Sequence, residues 1–210
     1  MEEEKNSLIY RLLRFTIFYK AYQNLVTKKN TYTFIYQEIF NFQENSIVLD
    51  CGCGPAHYRD LINTNDYTGV DFNKNHIMKA KKKFPLDKFI HGDVLNVDIA
   101  SGGPYSEIIL FGLLHHLNDK NVRTLLDNLI LNLKMEGKIM SIDPVYVKSD
   151  LNLYTKIANF IASKDQGNYV RTEKGYKNLF NSMNLTIKTK VYKNLLRIPF
   201  FHNVMHISHK

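Results

Sequence analysis

Residues 47–56 read Ile47-Val-Leu-Asp-Cys-Gly-Cys-Gly-Pro-Ala56. An apolar run with β-branched residues predicts a buried strand. At Asp50 it gives way to a loop carrying Gly52 and Gly54, and an amphipathic helix with Tyr58, Leu61 and Ile62 on its apolar side is expected next. Strand, glycine loop and helix form the first unit of a nucleotide-type α/β fold. Glycine lets the backbone approach a ligand that a side chain would hold off. The first turn of a helix behind the loop would offer free N–H groups and partial positive charge. An acid at the strand tip does not suit a pyrophosphate, which it would repel; it suits a ligand with a cationic end.

Two more strand-tip acids follow at regular spacing. Tyr67-Thr-Gly-Val-Asp71 reads as a second short strand, one βαβ step on. A carboxylate there can accept from both ribose hydroxyls, and Phe72 can lie against a purine face. Residues 73–84 predict a helix with Asn73 as N-cap, ended by Pro85. Phe89-Ile-His-Gly-Asp93 gives a third strand and turn, again one step further.

At these residues the chain resembles the class I S-adenosylmethionine (SAM)-dependent methyltransferases. Asp50-Cys-Gly-Cys-Gly54 is similar to their motif I, with Ala56 at a third small position that is usually Gly. The resemblance implies SAM, with its ammonium and sulfonium, as cofactor. It implies Asp50, Gly52, Cys53, Gly54, Asp71, Phe72, Asp93, Val94, Phe111 and Gly112 as cofactor-binding residues. Asp93 would accept from the adenine amino group and the Val94 N–H would meet a ring nitrogen. Residues 107–111 predict a buried fourth strand. Gly112-Leu-Leu-His-His-Leu117 then looks like the fourth motif, whose loop lines the methyl-transfer cleft. Ser106 stands where the family often has Asp, at the end away from the cleft. Residues 118–133 predict a helix. Lys134-Met-Glu-Gly-Lys138 matches the usual Leu-Lys-Pro-Gly-Gly turn, with Met135-Glu136 in place of Pro-Gly, before a fifth strand over 139–143. Asp143-Pro-Val-Tyr146 departs from the Asp-Pro-Pro-Tyr of nucleic-acid amino-methyltransferases at Val145 and by following the fifth strand rather than the fourth; it reads as a loop wall near the substrate.

The rest of the chain is read around that core. Leu8, Leu12, Phe15, Tyr19, Tyr22 and Val26 form one stripe of an amphipathic helix over 5–29. A second helix is expected over 31–42, with Tyr32, Ile35, Tyr36 and Ile39 on one face. Packing on the core, a lid over the substrate side and a membrane-surface helix stay open for these, although the acidic start is unhelpful to the last. A helix over 151–162 would carry Leu153, Ile157 and Phe160. Residues 163–172 read as loop, and Thr172 can cap a helix running to 183. Strands over 185–192 and 195–207 would close the sheet. Residues 164–172 and 196–202 resemble a bacterial subgroup found among surface-polysaccharide biosynthesis proteins, although Gln166 stands where that subgroup usually has Arg. The whole reads as one methyltransferase domain over 1–210: N-terminal helices (1–44), a SAM-binding core (45–145), and a substrate-cap segment with closing strands (146–210). Its fold class is α/β, a doubly wound, Rossmann-like, mostly parallel seven-stranded sheet with a helical insertion after strand 5.

Composition narrows the partners. The formal net charge is +8, but its densest run, Lys79 and Lys81 to Lys83, ends a predicted helix, where it favours the helix dipole. With no RNA-binding motif, a nucleic-acid partner is not expected. No apolar run reaches the ~20 residues of a membrane span, and Met1-Glu-Glu-Glu-Lys5 is not a signal peptide. Cys51 and Cys53 sit too close on one loop for a framework disulfide, which points to a reduced, cytoplasmic setting. His202, His206 and His209 do not share one strand face and lack a completing carboxylate or cysteine, so no metal is expected. A homodimer is compatible with the sequence.

His115 and His116 follow the fourth strand. In related motifs the first position is often Glu while the second stays His. His116 is therefore the candidate catalytic residue, an imidazole that titrates near neutral pH. Candidate substrate-binding residues are His115, Asp143, Tyr146, Tyr169 and Arg171. The expected reaction is methyl transfer from SAM to a small-molecule acceptor, a hydroxyl or amine of a sugar-like or polysaccharide-precursor substrate. The alternatives are an RNA or protein methyltransferase and a SAM-binding module without catalysis.

Overall fold

The computed structural model describes residues 31–210 apart from Leu151, Gln166, Ser182 and Asn194. The stripe expected over 5–29 and position 166 lie outside the described residues.

Among the described residues, eight strands form one sheet in the order β3-β2-β1-β4-β5-β8-β7, with β6 beside β5. The parallel strands are β1 (Ile47–Cys51), β2 (Asp66–Asp71), β3 (Lys88–His91), β4 (Tyr105–Phe111) and β5 (Leu133–Tyr146). β8 (Phe201–His209) returns antiparallel to β5, and β7 (Leu185–Lys193) antiparallel to β8. These seven are the strands read from the sequence, although the last begins at Phe201 rather than at 195 and runs to His209. The eighth, β6 (Arg171–Thr172), lies at the end of the segment read as loop and pairs parallel with Val145 and Tyr146 at the tip of β5.

Alternation along each strand builds two cores, one per sheet face. Leu49, Ile108, Leu110 and Ile139 face one way and pack with Val122, Leu125, Leu126 and Leu129 of helix Asp119–Leu131. Val48, Ile109, Met140 and Ile142 face the other way, under Ile35, Tyr36 and Phe40 and under Ile77 and Ala80 of helix Lys74–Lys83. The cap side chains act as expected: Asn73 accepts from the Asn75 and His76 N–H groups, and Thr172 accepts from that of Gly175. Ser106 accepts from the Ile47 N–H at 2.7 Å, at the start of β1 and β4, opposite the end that carries the acids.

Several expectations are corrected. The helix after the glycine loop is a single 3₁₀ turn, Arg59–Leu61. Pro55 and a left-handed Ala56 (φ 54°) precede it, and Arg59 turns back to bond the Ile62 and Thr64 carbonyls and Asp87. No helix N-terminus therefore stands behind the loop. The helix expected over 31–42 is an α-turn (Thr31–Thr33) running into a π-helix (Phe34–Phe40) that stops at a left-handed Asn41. β5 is longer than expected at both ends: residues 134–137 are accommodated by a register shift against β4, and the strand continues past Asp143 through Pro144 to Tyr146 where a loop wall was expected, Asp143 pairing with Asn203 and Pro144 with His202. The last helices are shorter, Leu153–Ala162 and Glu173–Asn178. In the first of these the small residues Thr155, Ala158 and Ala162 face inward, while Leu153, Ile157 and Phe160 are exposed.

Candidate active site

The carboxyl ends of β1, β2, β3 and β4 lie along one edge of the sheet, where open α/β folds collect ligands. Asp50 projects from β1 and is nearly buried. The Tyr67 hydroxyl donates to its Oδ2 at 2.7 Å. Burial lifts the Asp50 carboxyl to about 7, Tyr67 pulls it back, and the nearby Asp71 charge adds to the rise. A carboxylate in this state gains most from a cationic partner.

Beyond Asp50 the chain turns at Gly52 (φ 81°) and Gly54 (φ 55°), both left-handed. A Cβ on Gly54 would meet nothing within 4 Å, and one on Gly52 only a Leu113 methyl at 3.6 Å. The loop thus borders open space, with its backbone as the wall. Asp71 fixes it: Oδ2 accepts from the Gly54 N–H at 2.9 Å and Oδ1 from the Asn73 N–H at 2.8 Å. Cys53 packs tightly against Gly69, where a Cβ would lie 2.8 Å from its sulfur; burial pushes its thiol well up, so it stays neutral. Phe72 is 78% exposed beside Asp71. Asp93 is exposed, its Oδ1 accepting from the Leu95 N–H, and Val94 is buried. Gly112 takes a left-handed turn (φ 64°) at the end of β4. Phe111 does not stand open: its ring stacks on Tyr36 at 5.9 Å and Tyr36 lies near Tyr58, which stacks on Tyr32 at 3.8 Å. This aromatic layer comes from 31–40 and the 3₁₀ region, which places that N-terminal segment on the core.

The fit to SAM follows from these observations. A buried carboxylate with a raised pKa awaits a cation, a glycine wall leaves space, an anchored acid stands one strand away, and an exposed aromatic lies beside it.

The turn after β4 carries His115 and His116. His115 is buried between two carboxylates: Nδ1 lies 2.8 Å from Asp143 Oδ1 and Nε2 lies 3.1 Å from Asp165 Oδ1. Both ring nitrogens must donate, so the ring is an imidazolium. Burial alone would lower its pKa; Asp143 and Asp165 overcome this and raise it to about 9. His116 is exposed, its ring 4.2 Å from that of His115. Desolvation, and then the positive His115, hold its pKa below the ordinary value, so it is neutral at pH 7. Two adjacent histidines are thus driven to opposite protonation states.

The candidate substrate residues are not all brought into the open. Asp143 is fully buried and reaches the site through His115, accepting from its backbone N–H as well. Arg171 is a structural clamp. Its five N–H donors are taken by Asp119 (twice) and by the Leu114, Leu117 and Tyr169 carbonyls, which leaves none for an anion. Tyr146, at the tip of β5, lies near Asp165, whose charge adds to burial in raising its pKa. Tyr169 is partly exposed and its N–H donates to the His115 carbonyl at 2.9 Å. Two partners escaped sequence reading. Tyr67 was legible only as a strand residue, although its place two residues before Gly69, opposite Asp50, puts it on the same face. Asp165 lies in a segment without periodicity, and nothing in the linear pattern marks it.

Comparison with known proteins agrees with this geometry. Residues 48–137 match the family model described as a methyltransferase domain. No curated protein matches the chain in sequence. Among solved structures, the chain is similar to a TehB-like SAM-dependent methyltransferase from Corynebacterium glutamicum (TM-score 0.66, 14% identity, 96% of this chain and 100% of that one). It is similar to an S-adenosylmethionine-dependent methyltransferase from Clostridium acetobutylicum (TM-score 0.69, 10% identity, 93% and 99%). It is also similar to the plantazolicin methyltransferase BamL, solved with a triazolic desmethylPZN analog and SAH (TM-score 0.66, 16% identity, 95% and 94%). At such identities the structures speak to the fold, while the matched domain spans β1 to β5, where the glycine loop, the strand-tip acids and the histidine turn lie. Residues 48–137 thus match a methyltransferase domain, and the chain has the fold of the SAM-dependent methyltransferases, which together support SAM-dependent methyl transfer as its activity and SAM as its cofactor.

Proposed function

We propose that the protein methylates a hydroxyl or amine of a small, sugar-like molecule of the kind used as a polysaccharide precursor, and that His116 accepts the proton the acceptor loses. The observation that carries the reaction is the His115–His116 pair at the end of β4, beside the glycine loop: one ring locked and charged, the next exposed and neutral. When bound, SAM supplies a methyl group on a positively charged sulfur. Asp50 would hold its cationic end, Asp71 its ribose, and Phe72, Asp93 and Val94 its adenine. Gly52, Cys53, Gly54, Phe111 and Gly112 would shape the wall. Chain residues otherwise align the acceptor and exclude water, with Tyr146 and Tyr169 at the acceptor side. Support for a sugar-like acceptor is the resemblance of 164–172 and 196–202 to the polysaccharide-associated subgroup. We infer a cytoplasmic enzyme that acts on a small molecule without nucleic acid, compatible with a homodimer; no helix among the described residues is long and apolar enough to cross a membrane.

The test is a screen of nucleotide sugars and free sugars with methyl-labelled SAM, with RNA and protein substrates alongside. Label transfer to a sugar hydroxyl or amine is the expected result. Transfer only to RNA or protein would overturn the acceptor class. Binding of SAM without demethylated product under every condition would leave a binding module.

A further inference from the structure

We propose that Asp165 is a positioning residue for methyl transfer: it holds His115 against Asp143 and so fixes the adjoining His116 ring towards the acceptor. The proposal rests on the reading of His116 as proton acceptor. Asp165 comes from the segment that follows helix Leu153–Ala162 and returns to β6, remote in sequence from the turn it grips. Its Oδ1 takes His115 Nε2 at 3.1 Å and the Gly167 N–H at 2.8 Å. Asp143 Oδ1 takes Nδ1 at 2.8 Å. A ring held at both nitrogens and 6% exposed cannot turn.

The following residues close the clamp. A Cβ on Gly167 would run into the His115 ring and carbonyl, so only glycine lets this segment lie so close. The Tyr169 N–H donates to the His115 carbonyl, and Arg171 donates to those of Leu114 and Leu117. The whole turn is thereby strapped to the post-helix segment, and His116 rests on the immobilised ring.

The groups that act on His115 come from several elements. Asp143 from β5 and Asp165 favour its charge. His116 on the same turn and His202 from β8 feel that charge as repulsion. Tyr146 from β5, Tyr176 from helix Glu173–Asn178 and Arg171 from β6 complete the surroundings. Asp165 is the acid that can be neutralised without touching β5.

The test is Asp165→Asn in the full-length protein, which keeps size and a hydrogen-bonding oxygen but removes the charge. Side-chain ¹⁵N NMR should show the His115 titration midpoint below that of the wild type. The alkaline limb of the kcat–pH profile should move down with it. At pH 8 kcat should fall ~10–100-fold, the scale of a misplaced reacting group, with SAM Kd unchanged within about twofold. Asp165→Glu, which restores the charge, should recover part of both midpoints, and it carries the measurement if the Asn variant does not fold. An unmoved His115 midpoint, or a kcat loss that only follows the fraction folded, overturns the proposal. Failure of the base reading shows elsewhere, as wild-type turnover in His116→Ala, whereas the His115 midpoint is read without any turnover.

Discussion

The Tyr67 hydroxyl donates to the Asp50 carboxylate at 2.7 Å across the β1–β2 pair. It is the one hydrogen bond this side chain receives among the described residues. Burial dominates that single bond and raises the carboxyl to about 7, so the cofactor-free protein takes up a proton there far more readily than an ordinary aspartate does. A cation placed against it would drive the proton off.

SAM affinity should therefore weaken as pH falls below about 7, by up to ~10-fold per pH unit, and binding near pH 6.5 should release a proton. Calorimetry in buffers of different ionisation heat measures both. Asp50→Asn should weaken binding and abolish the pH dependence. The folded carboxyl titrates above its unfolded value, so its ionisation opposes folding as pH rises from ~4 to 7; at pH 8 the Asn variant should be more stable without cofactor, with linkage bounding the gain at roughly 4 kcal/mol. A pH-independent Kd in the wild type would remove Asp50 from the cationic end of the site.

Gly54 should separate folding from binding. Its φ of 55° makes any side chain strained, yet the space before it is empty. Gly54→Val should cost ~1–2 kcal/mol in thermal or urea unfolding and eliminate measurable SAM binding. Retained micromolar-range affinity in the folded variant would place the cofactor elsewhere.

Arg171 should behave as a structural residue. Arg171→Ala strands three carbonyls and Asp119, and should lower stability by ~2–4 kcal/mol at charged-bond values. Arg171→Lys should restore only part of this, because an ammonium cannot serve five acceptor contacts at once. A variant of full stability with a raised substrate KM would return Arg171 to the substrate.

What could be read from sequence had short-range causes. The strand positions follow from apolar runs bounded by turns, and Asp50, Asp71 and Asp93 declare themselves because each lies at or just beyond the carboxyl end of a strand. The missing helix after the loop was hidden: Tyr58, Leu61 and Ile62 have the right spacing, but the left-handed Ala56 and the Arg59 turn interrupt it. The length of β5 was hidden too, because residues 134–137 look like a turn and are absorbed by a register shift that depends on β4. The roles of Arg171 and Asp165 are set by partners about 50 residues away, which no local pattern encodes.

The His115 clamp should appear in the pH dependence of stability. Its folded pKa, about 9, exceeds the unfolded value of ~6.5. The stabilisation is fully present below ~6.5 and is lost as pH rises through about 9, amounting to roughly 3 kcal/mol. Urea unfolding from pH 6 to 10 should show this decline in the wild type and a flatter curve in His115→Gln. Parallel curves would mean that the ring is not charged in the folded state.

His116 carries the catalytic prediction. Its ring is exposed, lies on a locked imidazolium and is held neutral at pH 7, so it can take a proton without first losing one. A positioned base contributes ~10²–10⁴-fold. His116→Ala should lower kcat by about that factor and leave SAM Kd nearly unchanged, because Asp50, Asp71 and the glycine loop stand on other strands. The wild-type acidic limb should lie below the ordinary histidine value of ~6.5, since desolvation and His115 both act downward on this ring, and the limb should vanish in the variant. His116→Gln, which keeps hydrogen bonding but cannot accept the proton, should be as slow as the alanine variant. If the glutamine variant instead recovers most of the rate, His116 orients the acceptor, and the proton leaves by another route after the methyl has moved.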